Sequence, residues 1–427
     1  MKNTFQNVLF WSIISAAFIG PGTVTTASKA GASFGLALLW ALLFSTLATV
    51  ILQEAAARIT IASGKNLGEI IAIKYQQKSG TGLKWGIFLA VAFGCAAYQA
   101  GNMLGAISGI SLVSNWSPKW MTVILGVICA AILWVGNLKI IAKVLGFIVA
   151  FMGIAFIYVA LQTDISTSDF FSNLFVPSMP TGSSLLVIGL IGTTIVPYNL
   201  FLASGISPEQ GIKEMRQGIA LAVVIGGLIS MAILVAGTQV SGDFSFAALA
   251  DALDNSLGKG GKIFLGFGLF AAGLSSSITS PLAAAVTAKS LFGGQQNWST
   301  NNRNFRTVWG IILLIGLAFG ISDVKPVPAI ILAQAINGAL LPIVAIFLIL
   351  VVNDPQILPK KYLNSHFLNI LTILIVGITG FLGMNNFLKA LTNIFDNIKT
   401  IQFELALGTA ILLVVGLSWK IWMKNNK

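Results

Sequence analysis

The chain has 427 residues, of which 56% are hydrophobic and only 9% are charged, and its mean hydropathy is +0.89. This composition excludes a soluble globular protein of that length and indicates a protein that crosses a membrane many times. The formal net charge of +12 does not require a nucleic-acid partner, because membrane proteins collect Lys and Arg on their cytoplasmic loops.

Twelve apolar segments are long enough to cross about 30 Å of hydrocarbon. Spans 1 to 6 cover residues 8–34, 35–59, 84–113, 118–136, 139–162 and 183–206, and spans 7 to 12 cover residues 215–240, 259–288, 306–322, 326–352, 366–388 and 401–422. An even number of spans leaves both termini on one side of the membrane. Most Lys and Arg residues fall on that side, which predicts cytoplasmic termini in the cell (inner) membrane.

Spans 1 and 6 each contain a helix breaker. Span 1 is interrupted by Gly20-Pro21-Gly22, and span 6 by the string from Gly192 to Asn199, which contains Pro197. Proline removes a backbone donor and clashes with the preceding turn, so neither segment can continue as a regular helix. Irregular backbone at membrane depth survives only where protein or a cavity surrounds it. Two broken helices at matching places therefore predict a secondary transporter with its binding site between them.

The same pattern predicts the architecture. Spans 1 to 5 (about 8–162) and spans 6 to 10 (about 183–352) form two five-helix units, each of which opens with a broken helix. Their first helices run in opposite directions, so the units are inverted repeats. Spans 11 and 12 (about 366–422) are peripheral. We expect an all-α integral membrane protein in which residues 1–427 form one transmembrane domain.

Four strings of this chain carry a resemblance to a known family. They are Ala30-Gly31-Ala32 with Phe34-Gly35, Ala56-Ala57-Arg58 with Ser63-Gly64-Lys65-Asn66-Leu67, Phe175-Val176-Pro177-Ser178-Met179-Pro180, and Pro197-Tyr198-Asn199-Leu200. In order and spacing they resemble strings of the Nramp (natural resistance-associated macrophage protein) family of metal-ion transporters. The resemblance runs from span 1 to about span 10. It implies a leucine-transporter-type fold and transport of a divalent metal cation.

The chain departs from that family where the family holds its metal and moves its protons. The family's Asp-Pro-Gly-Asn aligns with Gly20-Pro21-Gly22-Thr23, so the carboxylate is missing and the amide has become a hydroxyl. The other departures are Val196 for a methionine, Tyr198 for a histidine, Gln99 and Asn102 for an acidic pair, and Leu340 for a glutamine. The scaffold is kept, whereas the metal and proton chemistry is removed.

These departures favour an anion as the cargo. The second half of each broken helix begins with unpaired N–H groups and a partial positive charge. The leading hypothesis is therefore symport of a small anion, such as bicarbonate, together with sodium. The predicted substrate-binding residues are Gly20, Gly22, Thr23, Thr25, Thr26, Thr193, Thr194, Val196, Tyr198 and Asn199, and the predicted sodium ligands in span 8 are Ser276, Ser277 and Thr279.

Three alternatives remain open at this point. The first is a divalent cation such as manganese or magnesium, as the resemblance implies, held with its water by carbonyls and hydroxyls. The second is a small neutral amino acid, and the third is a non-transporting sensor. Lys29 is either an anion attractor or a snorkelling interface lysine, and Gln334 and Asn337 are expected to join helices rather than line the cavity.

Other features of the chain limit its chemistry. The two cysteines, Cys95 and Cys129, lie inside apolar spans and the single histidine is His366, so no disulfide framework or Cys/His metal cluster is expected. No nucleophile–His pair or phosphate loop is present, and we expect no enzymatic activity. The expected partners are the lipid bilayer and a small inorganic ion or solute, with no cofactor beyond sodium as a coupling ion. The oligomeric state is not defined by the sequence.

Overall fold

A computed structural model describes residues 19–75, 78–135, 139–205, 211–258, 260–293, 298–299, 301–392 and 400–425. These residues form helices joined by short connections, with no β-strand among them. Eleven helical segments within the described ranges are long and apolar enough to cross a membrane. The twelfth is span 1, whose first half (residues 8–18) lies outside the described residues. The prediction of an all-α membrane protein is confirmed.

The helices follow the predicted spans closely. Span 1 is described as Pro21–Phe34, span 2 as Leu39–Ser63, span 3 as Lys78–Val113, span 4 as Pro118–Val135, span 5 as Lys139–Gln162, and span 6 as Ser184–Thr194 with Pro197–Ala203. Span 7 is Ile212–Gly237, span 8 Gly261–Phe292, span 9 Arg303–Ile321, span 10 Pro326–Val352, span 11 His366–Leu391 and span 12 Gln402–Asn425. Shorter helices lie in the connections, at Leu67–Lys74, Thr167–Phe175, Phe246–Leu257 and Lys360–Tyr362.

The backbone is non-helical at both predicted breaks, and a proline starts the helix that follows each of them. Gly20 is extended (φ −96°, ψ 177°), and Pro21 is the first residue of the helix that follows. In span 6 the first half ends at Thr194, Val196 is extended (φ −85°, ψ 120°), and Pro197 starts the second half. Proline suits the first helical position, because its missing N–H would have no partner there in any case.

Spans 3, 8 and 10 form the centre of the molecule, and the two broken spans pack against them. Span 8 lies along span 3, and span 10 contacts spans 3, 6 and 1. Glycine permits the closest approach, between spans 6 and 10. A Cβ atom at Gly192 would lie 2.0 Å from the Gln334 carbonyl oxygen and 2.5 Å from the Gly338 nitrogen. Span 6 is therefore fixed against span 10 at the level of its break.

The end of span 2 is tied to the connection between spans 10 and 11 by a buried arginine. The Arg58 Nε donates to both carboxylate oxygens of Glu54 at 3.1 Å, which is the pair expected from their i,i+4 spacing. Arg58 also donates to the Tyr362 carbonyl and, at 2.6 Å, to the Asn364 side-chain oxygen. Arg216 of span 7 donates to Glu54 at 2.8 Å. One carboxylate thus joins spans 2 and 7 and, through Arg58, the 353–365 connection.

Candidate functional site

The two helix breaks meet in the interior of the protein. The hydroxyl oxygens of Thr23 and Thr193 are 2.9 Å apart, within hydrogen-bond distance. Both side chains are buried, as are the residues Pro21 to Ser28 that begin the second half of span 1. The structure therefore brings together the predicted residues of spans 1 and 6, although they are far apart in the sequence.

Gln334 of span 10 lies directly against the first break. A Cβ atom at Gly22 would lie 1.9 Å from the Gln334 Nε2 and 2.9 Å from its Oε1. The Gln334 side chain is 1% exposed, and its Oε1 has no hydrogen-bond partner among the described residues. Gln334 therefore lines the break, contrary to the expectation that it only joins helices. Asn337 does join helices, because its Nδ2 donates to the Gly94 carbonyl at 3.1 Å.

Spans 3 and 8 place further polar atoms beside Gly20. A Cβ atom at Gly20 would lie 3.2 Å from the Ser276 Oγ and 3.9 Å from the Asn102 Oδ1. The buried Asn102 Nδ2 and the buried Ser277 Oγ have no partner within the described part of the chain. Of the three predicted sodium ligands, Thr279 donates to the Ser275 carbonyl of its own helix at 2.8 Å. Sodium binding at these residues stays a prediction.

The remaining threonines of the two breaks differ in their hydrogen bonding. Thr25 donates to the Pro21 carbonyl at 2.7 Å, and Thr194 donates to the Leu190 carbonyl at 3.0 Å, so both hydroxyl protons are used within their own helices. Thr26 is fully buried, and its Oγ1 has no partner among the residues described. Its hydroxyl is therefore available to a ligand or a water molecule.

The break in span 6 is covered by two tyrosines. The rings of Tyr98 and Tyr198 pack edge to face with their centroids 5.6 Å apart, and the Tyr98 hydroxyl donates to the Gly192 carbonyl at 2.6 Å. Val196 and Asn199 are buried beside them. Tyr98 is not among the site residues predicted from the sequence. Its place on span 3, one residue before Gln99, is the signal that could have identified it, because a buried tyrosine hydroxyl usually finds a hydrogen-bond partner.

Three further residues named in the sequence analysis are described by the structure. Gln99 is fully buried and neither polar atom of its amide has a partner among the described residues; Gly316 of span 9 packs on its side chain. Leu340 is half-buried, and Lys29 is half-buried on the span 1 helix, farther along the chain than Thr26.

The site offers neutral oxygen atoms and no acidic side chain. None of residues 19–34, 78–113, 184–203, 261–292 and 326–352 is Asp, Glu or His. Within the described ranges, no group of three or more His, Cys, Asp or Glu residues could hold a metal ion. Any cation bound here is therefore held by backbone carbonyls, hydroxyls and amides, which are the oxygen donors that hard cations accept.

The chain is similar in sequence and in fold to known membrane transporters. The family model described as "Natural resistance-associated macrophage protein-like" matches residues 12–389. The "Divalent metal cation transporter MntH" of Erwinia tasmaniensis is 29% identical over 291 residues, which are 64% of this chain and 70% of the relative. The fold matches a manganese transporter of Eremococcus coleocola with a TM-score of 0.73 at 15% identity, covering 99% of this chain and 94% of that one. MhsT in complex with L-phenylalanine matches with a TM-score of 0.60 at 16% identity, covering 89% and 98%, so the fold is of leucine-transporter type.

The leading hypothesis from the sequence, sodium-coupled symport of a small anion such as bicarbonate, is wrong. The chain matches the family model over most of its length, and its sequence relative is named a divalent metal cation transporter; neither comparison names an anion. The physical reason is that a helix break presents partial charges of both signs. N–H groups that begin the second half attract an anion, whereas carbonyls that end the first half attract a cation. At span 6 only Ile195 and Val196 separate the two ends, so losing the carboxylates does not by itself select an anion.

Proposed function

Because this chain belongs to the Nramp family, we propose that it is a secondary transporter that carries a divalent metal cation. The ion binds where the breaks of spans 1 and 6 meet, between Gly20, Gly22 and the Thr23–Thr193 pair. The observation that carries the proposal is the buried Gln334 Oε1, which has no partner in the described part of the chain and belongs to an amide group packed against Gly22. A buried acceptor without a donor costs about 1–3 kcal/mol, and a cation or its water would remove that cost.

The donor set favours a hard cation, manganese or magnesium. The break segments 19–28 and 193–203 contain no thioether, imidazole or carboxylate group. Soft and borderline metals prefer sulfur and imidazole ligands, whereas magnesium and manganese accept carbonyl oxygen and water. Stripping a divalent ion of all its water against neutral oxygens would be too costly. The ion therefore keeps part of its hydration shell, and the buried polar atoms of Thr26, Asn102 and Gln334 bind those waters.

The membrane potential is a sufficient driving force for such a cargo. One elementary charge crossing the membrane changes its free energy by about 2.3 kcal/mol per 100 mV. The free energy of a divalent cation that enters a negative interior therefore falls by about twice that amount, or about 4.6 kcal/mol per 100 mV. No counter-ion is needed, and no Asp, Glu or His lies in the spans that form the site. Sodium coupling through Ser276, Ser277 and Thr279 stays a separate prediction, which uptake with and without a sodium gradient tests.

Charge substitution at Gln334 tests the sign of the cargo. We expect Gln334→Glu to lower the concentration of magnesium or manganese needed for half-maximal uptake roughly tenfold. A carboxylate attracts the ion by several kcal/mol, and the cost of burying the carboxylate offsets part of that attraction. Uptake is measured in proteoliposomes at fixed membrane potential with a metal-sensing dye inside. The matched control is Gln239→Glu, which adds the same charge at an exposed residue of the span 7 end.

The control should leave uptake unchanged. Loss of cation uptake in Gln334→Glu but not in Gln239→Glu would contradict the assignment of Gln334 as a cation-facing residue. No movement of either divalent ion by the parent protein would overturn the proposed function as a whole.

The orientation of the protein belongs to the same proposal. We place both termini on the cytoplasmic side of the cell (inner) membrane, because most Lys and Arg residues lie on that side. Single cysteines at Lys2 and Lys325, in a chain without Cys95 and Cys129, should react differently with a membrane-impermeant maleimide in intact cells. Only the Lys325 position should be labelled.

A further inference from the structure

A groove of about 590 Å³ opens between spans 3, 9 and 10 on the outer surface of the helix bundle. Its lining is almost entirely apolar and includes Ala97 of span 3, Phe319 of span 9 and Leu332 of span 10. Phe319 and Leu332 are 40% and 53% exposed. Since these residues lie inside membrane-spanning helices, the groove faces hydrocarbon, and a lipid chain is the molecule that reaches it.

One end of the groove carries a positive charge. Lys325, the residue before span 10, lines it, is exposed, and forms no ion pair with any carboxylate of the described residues. The nearby Asp323 is paired instead with Lys119, at 3.6 Å. Trp120, the neighbour of Lys119, is 69% exposed. Exposed tryptophans mark the level of the lipid headgroups, so Lys325 lies where a phosphate would be.

The groove and the ion site lie on opposite faces of the same two helices. Residues two apart on an α-helix point about 200° apart. On span 3, Ala100 lines the groove whereas Asn102 lies beside Gly20. On span 10, Leu332 lines the groove whereas Gln334 lies against Gly22. An occupant of the groove therefore packs against the two helices that supply the site's amides.

We propose that this groove is a binding site for an anionic phospholipid. One acyl chain fills the space between spans 3, 9 and 10, and the phosphate pairs with Lys325. The bound lipid stabilises one spacing of spans 3 and 10, and hence one arrangement of Asn102 and Gln334. Lipid binding itself does not depend on what the transporter carries. Only its effect on uptake rests on the proposed function.

Native mass spectrometry of the full chain, delipidated and then titrated with phosphatidylglycerol or phosphatidylethanolamine, tests the site. The parent protein should retain one phosphatidylglycerol molecule in preference to phosphatidylethanolamine. Ala97→Leu fills the groove with a side chain that faces lipid, so the fold is not overpacked, and it should abolish retention. Lys325→Gln should lower the preference for phosphatidylglycerol about fivefold, which corresponds to the ~1 kcal/mol that one lysine contributes near an anionic surface.

Two matched variants serve as controls. Ala150→Leu adds the same bulk at an exposed alanine of span 5, and Lys389→Gln removes an exposed lysine near the end of span 11. Both should bind lipid as the parent does. The proposal is overturned if Ala97→Leu retains the lipid, if Lys389→Gln loses the preference as much as Lys325→Gln does, or if a second copy of the chain covers the groove. If lipid binds as described but no divalent ion is transported, only the proposed function fails.

Discussion

Replacing Glu54 with glutamine should destabilise the protein more than the loss of any exposed ion pair. Glu54 is 14% exposed and its partner Arg58 is 2% exposed, so the substitution leaves a buried guanidinium without its counter-charge. Breaking a buried pair in this way costs about 3–5 kcal/mol. The amide oxygen of glutamine, the Tyr362 carbonyl and the Asn364 side chain keep their contacts with Arg58, so we expect a loss of about 2–3 kcal/mol.

Thermal unfolding in detergent, followed by tryptophan fluorescence, measures this effect. The control is Asp251→Asn, which removes an exposed pair with Lys262 (3.3 Å, 64% and 53% exposed) and should cost at most about 1 kcal/mol. Combining Glu54→Gln with Arg58→Met should recover part of the loss, because no buried charge is then left alone. Equal midpoints for the Glu54 and Asp251 variants would refute the view that Arg58 depends on Glu54.

Three further predictions address the site. The methyl group added by Gly22→Ala would push against the Gln334 amide and should weaken cation uptake roughly tenfold, since overpacking costs about 1–3 kcal/mol. The control is Gly310→Ala, whose added methyl group meets nothing within 4 Å and should leave uptake unchanged. Equal uptake by the two variants would speak against a site at Gly22. Tyr98→Phe leaves the Gly192 carbonyl without its donor and should lower stability by about 1–3 kcal/mol, as unfolding midpoints would record; an unchanged midpoint would mean that water replaces the hydroxyl. At fixed membrane potential, a pH gradient should not change divalent-ion uptake, because the spans of the site contain no Asp, Glu or His; a pH-sensing dye that reports proton movement with the metal would disprove this.

The local features of the fold are predictable because they depend on neighbouring residues. Pro21 and Pro197 break their helices through the geometry of their own rings, so the position of both breaks follows from the sequence. The Glu54–Arg58 pair follows equally from helical spacing. Its further partners Tyr362 and Asn364 lie about three hundred positions away along the chain. No periodic pattern in span 2 indicates them.

The composition of the site is harder to predict, because it depends on packing between spans. Gln334 packs against Gly22 with its side chain and against Gly192 with its backbone, so spans 1, 6 and 10 all meet at this residue. In the sequence alone a lone glutamine in an apolar span is equally compatible with a helix-joining role. The sign of the cargo was predicted wrongly for a related reason. Pro197 alone locates the positive N-terminal end of the second half-helix in the sequence. The negative carbonyl end of the first half-helix, at Thr194, can be weighed against it only when the structure places both ends beside the same site.

The hydroxyl contact between Thr23 and Thr193 bears on the alternation between two faces that the proposed transport requires. It is a direct side-chain link between the two breaks, and a neutral hydrogen bond contributes only about 1 kcal/mol. Such a bond shifts the balance of two conformations roughly fivefold. Cargo that makes a few favourable contacts outweighs this bond, so the bond by itself does not prevent an arriving ion from redistributing the population.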